Sequence, residues 1–147
     1  MKKMIWLFLA LAVPGMALAG DDLVRKPSVH SVQETADRLE ALVKEKGMTV
    51  FARIDHKANA ESVGKKMPDS QLLIFGAPEA GTRIMLNDPA AGVDLPMRVL
   101  TYADFDGKVW VVYHNPQGMK DDFALEECKV LEKIEGALAG MTDQVTR

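Results

Sequence analysis

The chain has 147 residues, of which 48% are hydrophobic and 27% are charged, and its formal net charge at neutral pH is −3. That length and composition suit one globular domain with a single core. The acidic balance, without a basic stripe, disfavours nucleic acid as a partner, and we predict none. Cys128 is the only cysteine, which excludes an intrachain disulfide.

The first 19 residues have the organisation of a secretory signal peptide. Lys2 and Lys3 precede an uncharged apolar run over residues 4–13, and residues 17–19 have the small-x-small form that signal peptidase accepts. The run is shorter than the roughly 20 residues that span a bilayer. We therefore predict cleavage after Ala19 and a periplasmic mature domain of residues 20–147, with 16 basic against 21 acidic residues and no membrane partner.

The mature domain begins with a predicted strand over residues 23–28 and a long helix. Ser31 and Glu34 have the spacing of a capping box, in which each side chain accepts a hydrogen bond from a backbone N–H at the helix start. Gly47 suits the left-handed conformation that ends many helices. The apolar stripe of this helix consists of Val32, Ala36, Leu39 and Val43.

Two further strands are predicted in the middle of the chain. Polar and apolar positions alternate over residues 48–55, as on a strand whose side chains point to its two faces in turn. A short helix is predicted over residues 58–66. Residues 72–75 are apolar at every position, which is typical of a central strand that is covered on both faces.

The segment from Gly76 to Gly81 has the Gly-x-x-x-x-Gly outline of a phosphate loop. The lysine that such a loop needs is absent, and Glu79 would repel phosphate. Thr82 caps a predicted short helix through about Asn87, whose free N–H groups would suit an anion. The alternative is an ordinary connection between a strand and a helix, followed by an irregular stretch over residues 89–96.

The last part of the chain is predicted to form a hairpin and a helix. Strands over residues 97–104 and 108–114 flank Asp106-Gly107, a strong signal for a tight turn because both residues tolerate positive φ. A helix is predicted over residues 122–139. Its apolar face consists of Cys128, Leu131, Ile134 and Leu138.

This order of elements predicts an α+β fold. Strands outnumber the long helices and the hairpin fixes antiparallel pairing, so we expect one curved antiparallel sheet of about five strands. Both long helices then pack on the same face of the sheet, where their apolar stripes are buried.

Motifs along the mature chain resemble those of the family known as domain of unknown function 302. The matching segments are Lys26-Pro27-Ser28, His30-Ser31-Val32, Phe51-Ala52-Arg53-Ile54-Asp55-His56, Leu72-Leu73-Ile74-Phe75-Gly76, Ala80-Gly81-Thr82, Asp94-Leu95-Pro96 and Asp106-Gly107-Lys108-Val109-Trp110. The resemblance implies a β-α-β4-α order, similar to the architecture of the TATA-binding protein, and no settled activity.

Asp55 and His56 form the first candidate site, at the end of a predicted strand. A histidine there would serve as a general base or a metal ligand because it titrates near neutral pH, with Asp55 or Asn59 as the orienting group. The alternative is that both side chains hold the following loop through hydrogen bonds.

His56 and His114 are the weak metal candidates. If the ends of their strands meet, the pair would suit zinc or copper together with a carboxylate such as Asp55 or Asp104. No ligand-spacing motif supports this pair, and we predict no cofactor. The six methionines after residue 19 are dispersed along the sequence, so no copper-type methionine cluster is predicted.

Trp110 and Tyr113 fall on opposite faces of their strand, so one is expected in the core and the other in a cleft or an association surface. The residues predicted to contact a ligand are Asp55, His56, Asn59, Gly76, Gly81, Thr82, Tyr113 and Asn115.

Two classes of function remain open. The first is a non-catalytic, exported module that binds a small molecule or serves an envelope protein as an accessory. The second is a small enzyme or metal-binding protein that uses Asp55 and His56 at a strand-end cleft. A homodimer that assembles through an exposed sheet face or edge is a further candidate.

Overall fold

A computed structural model describes residues 22–147, so the predicted signal peptide and its cleavage site lie outside the described residues. The strands are β1 (Leu23–Ser28), β2 (Thr49–Asp55), β3 (Ser70–Gly76), β4 (Met97–Ala103) and β5 (Val109–His114). The helices are α1 (Val32–Glu45), α2 (His56–Ser62), α3 (Pro78–Asn87), α4 (Met119–Asp122) and α5 (Val130–Val145), with 3-10 segments at Pro89–Asp94 and Pro116–Gly118.

The five strands form one sheet in the order β1-β5-β4-β3-β2, and every neighbouring pair is antiparallel. The predicted α+β class and the single antiparallel sheet are confirmed. Gly107 has φ +83° in the turn between β4 and β5, where its missing Cβ removes the steric penalty. The two edges of the sheet are β1 and β2.

Both long helices pack on one face of the sheet, as predicted. Leu39 and Val43 of α1 and Leu138 of α5 meet the inward side chains of the strands, among them Phe75 and Val111. A second cluster lies beside the first and joins α3, the 3-10 segment after it, α4 and the start of α5. The two clusters meet at Met97 and Ile134, which pack against both.

The cap of α1 differs in part from the predicted capping box. The Ser31 hydroxyl accepts a hydrogen bond from the Glu34 N–H at 3.1 Å, as expected. The Glu34 carboxylate, however, pairs with Arg38 at 2.7 Å and with His30 Nδ1 at 3.2 Å, not with the Ser31 backbone N–H. Gly47 follows the helix with φ +73°.

The predicted starts of two short helices were wrong. α2 begins at His56 instead of residue 58, because Asp55 provides the cap. α3 begins at Pro78 instead of Thr82; proline suits the first turn, where its missing N–H would have had no helical partner. Thr82 therefore lies inside α3 and is not a cap.

The helix predicted over residues 122–139 begins and ends later than expected. The short α4 ends at Asp122, and α5 runs from Val130 to Val145. Between them the Ala124 N–H donates to Asp88 Oδ2 at 3.1 Å, and Leu125 is buried in the second cluster. These contacts with the segment after α3 replace the hydrogen bonds that a continuous helix would have made.

Two strand predictions also need correction. A bulge between Val50 and Ala52 interrupts the expected alternation of β2 and leaves Phe51 53% exposed. β3 is buried on one face only: Leu73 is 2% exposed, whereas Leu72 on the other face is half-buried. Within residues 22–147, no helix is both long enough and apolar enough to cross a membrane.

Candidate functional site

An apolar cleft of about 340 Å³ opens between α3 and α5, at the end of the sheet where β2 begins and β3 ends. Phe51 and Met85 stand at its rim and are 53% and 37% exposed. Leu138 and Met141 of α5 form its floor and are each 2% exposed. The cleft thus joins the core to the surface.

Glycines set the shape of one wall of this cleft. A Cβ at Gly92 would come within 3.0 Å of Met85 Sδ, closer than ordinary contacts allow. A Cβ at Gly76 would lie 3.6 Å from Pro96 Cβ, an ordinary contact. The missing side chain at Gly92 therefore leaves room for Met85 Sδ beside the 3-10 segment.

Four methionines line the cleft: Met48, Met85, Met97 and Met141. They come from four separate segments of the sequence, and the fold brings them to one cleft. A thioether side chain is flexible and polarisable and adapts its shape to what it contacts. The cleft consequently has a surface that can adjust to different apolar molecules.

The cleft offers almost no polar chemistry. Of the described residues that line it, none is charged, and Thr82 has the one polar side chain. Its volume is at the small end of the range of ligand pockets, about 300–1,000 Å³. The arrangement therefore suits a small apolar molecule.

A second, polar cleft of about 260 Å³ lies near the C-terminal end of β5. Asp94, Arg98 and His114 line it, and Asp94 pairs with Arg98 at 3.6 Å. Asn115 is already engaged, since its Nδ2 donates to Glu135 at 2.9 Å and its Oδ1 accepts from the Gln117 N–H at 3.0 Å. Among residues 22–147, no group of three histidine, cysteine or acidic side chains is placed to hold a metal ion.

Asp55 and His56 lie away from both clefts. The Asp55 carboxylate accepts a hydrogen bond from the Ala58 N–H at 2.9 Å and thereby caps α2. His56 is the first residue of α2 and half-buried, and Asn59 is exposed on the same helix. The geometry at Asp55 is thus that of a helix cap.

The two candidate metal-binding histidines are not brought together. His56 follows the end of β2, whereas His114 ends β5, and β3 and β4 lie between these strands. Through the strand register, Asp55 on β2 lies level with Val111 on β5. Because β2 and β5 run in opposite directions, His56 and His114 lie towards opposite ends of the sheet.

The other predicted ligand contacts divide between the cleft and the core. Gly76, Gly81 and Thr82 line the apolar cleft. Tyr113 is only 5% exposed and belongs to the core, while Trp110 lies on the opposite face of β5. The sequence analysis missed the contribution of α5, where Ile134 and Ala137 lie one helical turn from Leu138 and Met141.

Arg53 links β2 to α1 on the side of the sheet that carries the long helices. Its Nη1 donates to Asp37 Oδ1 at 2.6 Å and to Glu40 Oε2 at 2.9 Å. The hydrogen bond from Arg53 holds the pKa of Asp37 below its ordinary value of 3.8. Hydrogen bonds from Lys44 and then Arg53 lower the pKa of Glu40 from 4.5.

Comparison with known proteins identifies the family of this chain and a solved structure that shares its fold. The family model described as Domain of unknown function DUF302 matches residues 24–141. The crystal structure of an uncharacterized conserved DUF302 protein from Bacillus stearothermophilus aligns with a TM-score of 0.75, over 87% of this chain and 100% of that one. The two sequences are 23% identical, so this likeness concerns the fold alone.

Curated relatives occur in Brucella. The fluoride-specific ion channel FluC 1 of Brucella suis biovar 1 (strain 1330) is 42% identical over 103 residues, which are 70% of this chain and 41% of the channel protein. The FluC 1 of Brucella abortus biovar 1 (strain 9-941) has the same identity over 38% of its length. The chain thus spans about two fifths of the length of the curated relatives it matches.

Proposed function

Because the chain belongs to the DUF302 family, whose description assigns no activity, we propose its function from the cleft: it is an exported, non-catalytic module that binds a small apolar molecule. One observation carries the proposal, namely a cleft of about 340 Å³ without a charged side chain among the described residues that line it. Removing an apolar molecule from water is favourable in proportion to its buried area, at about 25 cal/mol per Å².

The rim and floor of the cleft support this proposal. Phe51 is 53% exposed, although a phenyl ring in water is unfavourable, and a bound apolar molecule would cover it. The methionines of the floor and wall adapt to ligand shape at little cost in strain. Export is inferred from the predicted signal peptide, which would deliver the module to the periplasm.

A binding assay with the fluorescent apolar probe N-phenyl-1-naphthylamine tests the proposal on the mature protein of residues 20–147. Ala137 lies at the cleft and is exposed, so Ala137→Trp would fill the cleft without disturbing the core. We expect this variant to bind the probe at least about 10-fold more weakly, a loss of about 1.4 kcal/mol.

Lys133→Trp is the matched control, because Lys133 is exposed on the same helix and does not line the cleft. It should bind the probe like the unmodified protein. Equal weakening in both variants, or no probe binding by the unmodified protein, would contradict the proposal.

A second candidate function is suggested by the curated relatives. In the Brucella suis protein, the segment that matches this chain is 41% of a fluoride-specific ion channel. No helix of residues 22–147 can span a membrane, so a segment with this fold would form a part of such a channel outside the bilayer. We propose as the alternative that this chain is an accessory module of an ion channel in the same envelope.

Growth in fluoride tests this alternative. Deleting the gene should make cells more sensitive to added fluoride but not to added chloride. The full chain should restore growth, whereas a version without residues 2–19 should not, since it would stay in the cytoplasm. Unchanged fluoride sensitivity after deletion would contradict an accessory role.

A further inference from the structure

The face of the sheet that points away from α1 and α5 is apolar. Because side chains alternate along a strand, the neighbours of the inward residues Leu73, Val99 and Val111 point to this opposite side. We call it the outer face. Its apolar residues are Ile54, Leu72, Ile74, Leu100, Tyr102, Trp110 and Val112.

The strand register makes these residues one continuous patch. Ile54 pairs with Leu72, Leu72 with Leu100, and Leu100 with Val112, so an apolar row crosses four of the five strands. Directly beside it, Tyr102 pairs with Trp110. Side chains in such rows lie about 4.5–5.5 Å apart and shield one another, so Val112 is 8% exposed and the other six residues of the patch are half-buried.

Charged groups of the described chain lie at the margin of this patch. Arg25 on the edge strand β1 ends the apolar row beside Val112, and Arg98 lies near one end of β4. At the other end, the indole N–H of Trp110 donates to Asp104 Oδ2 at 2.8 Å. The ring is thereby held in place, with Lys108 Nζ 4.2 Å from its centroid.

We propose that the outer face is the interface of a homodimer, in which the sheets of two copies pack face to face. Five strands about 4.8 Å apart, each of six or seven residues, form a face of on the order of 500 Å² in projection. This is below the roughly 800 Å² per partner of a standard interface, as suits a dimer that dissociates on dilution.

The width of the face favours a second copy over a helix from another protein. A helix is about 10 Å across with its side chains and would cover about two of the five strands. A second sheet has the same width and packs at about 10 Å, so it covers every strand. The apolar cleft lies on the helix-bearing side, and dimer formation leaves it open.

Sedimentation velocity of the mature protein tests the proposal. We expect a dimer that dissociates on dilution. Leu100→Glu places a charge at the centre of the outer face, where it meets solvent in a monomer and is buried in a dimer. Because an unpaired buried charge is strongly unfavourable, this variant should raise the dissociation constant by at least about 100-fold.

Leu86→Glu is the matched control, since Leu86 is 80% exposed on α3 and lies outside the outer face. Trp110 gives a second readout that needs no variant, because the other tryptophan, Trp6, belongs to the predicted signal peptide. Acrylamide should quench Trp110 weakly in the dimer and more strongly on dilution.

Three results would overturn the proposal. They are a monomer at the highest soluble concentration, a dimer that withstands Leu100→Glu in folded protein, and quenching of Trp110 that does not change when the dimer dissociates. A monomeric result would leave probe binding in the cleft unaffected, so this proposal and the proposed function fail independently.

Discussion

At the scale of single residues, Asp55 has a structural role that its position next to His56 conceals. Its carboxylate occupies the N-cap of α2 and accepts the Ala58 N–H at 2.9 Å. A side chain engaged in this way satisfies one of the backbone donors that the start of a helix leaves without a partner. The geometry of a short helix thus accounts for the aspartate at position 55.

Replacing Asp55 separates this role from a catalytic one. We predict that Asp55→Ala lowers the free energy of unfolding by about 1 kcal/mol, the usual cost of losing an N-cap, and that Asp55→Asn retains most of the stability because asparagine also caps helices. Urea unfolding of the mature protein measures both. Equal losses in the two variants would show that the cap contact does not stabilise α2.

At the scale of elements, α1 is held to the sheet by an apolar stripe and by Arg53. Leu39 is fully buried between α1 and the strands. On the more solvent-exposed side of the helix, Arg53 forms ion pairs with Asp37 and Glu40. The apolar contact of Leu39 is tested by substitution, and the ion pairs of Arg53 are tested by the dependence of stability on pH.

The packing of α1 predicts a large effect at Leu39. Leu39→Ala leaves a cavity in the core and should cost about 2–5 kcal/mol of unfolding free energy. Leu86→Ala removes the same atoms from a side chain that is 80% exposed and should change stability by less than about 0.5 kcal/mol. Comparable losses in the two variants, measured by denaturant unfolding, would contradict the assignment of the core.

The Arg53 contacts predict loss of stability in acid. Asp37 and Glu40 have folded pKa values below their ordinary 3.8 and 4.5, so the unfolded chain binds more protons in this range. Their contribution is present in full above the ordinary values and is lost as the pH falls through the lower, folded values.

Arg53→Gln should therefore be less stable at neutral pH and should lose less stability on acidification than the unmodified protein. Denaturant unfolding between about pH 3 and about pH 7 measures the difference. Arg38→Gln is the control, because Arg38 pairs with Glu34 and not with Asp37 or Glu40. If the free energy of unfolding fell equally with decreasing pH in Arg53→Gln and in the unmodified protein, this account would be contradicted.

Local signals predicted the elements that are formed by local interactions. The cap at Ser31, the stripe of α1 and the turn at Gly107 were all visible in the sequence, because each depends on residues within a few positions of one another. The segment between α4 and α5, by contrast, makes a hydrogen bond from the Ala124 N–H to Asp88, which are 36 residues apart. No periodicity in the sequence carries that information.

At the scale of the whole molecule, one layer of helices on one sheet leaves two apolar surfaces. The first is the cleft, where α3 and α5 separate above the sheet, and the second is the outer face. The sequence analysis expected a site at Asp55 and His56 because it assigned chemistry to titratable side chains. The cleft is built from methionines and glycines of distant segments, whose association only the fold determines.

Methionine-methyl NMR of the mature protein tests the central claim, that the cleft binds a small apolar molecule. Of its six methionines, Met48, Met85, Met97 and Met141 line the cleft, whereas Met67 and Met119 do not. Adding N-phenyl-1-naphthylamine should shift the four cleft signals and leave the other two in place. Unchanged cleft signals at saturating probe, or shifts confined to Met67 and Met119, would contradict it.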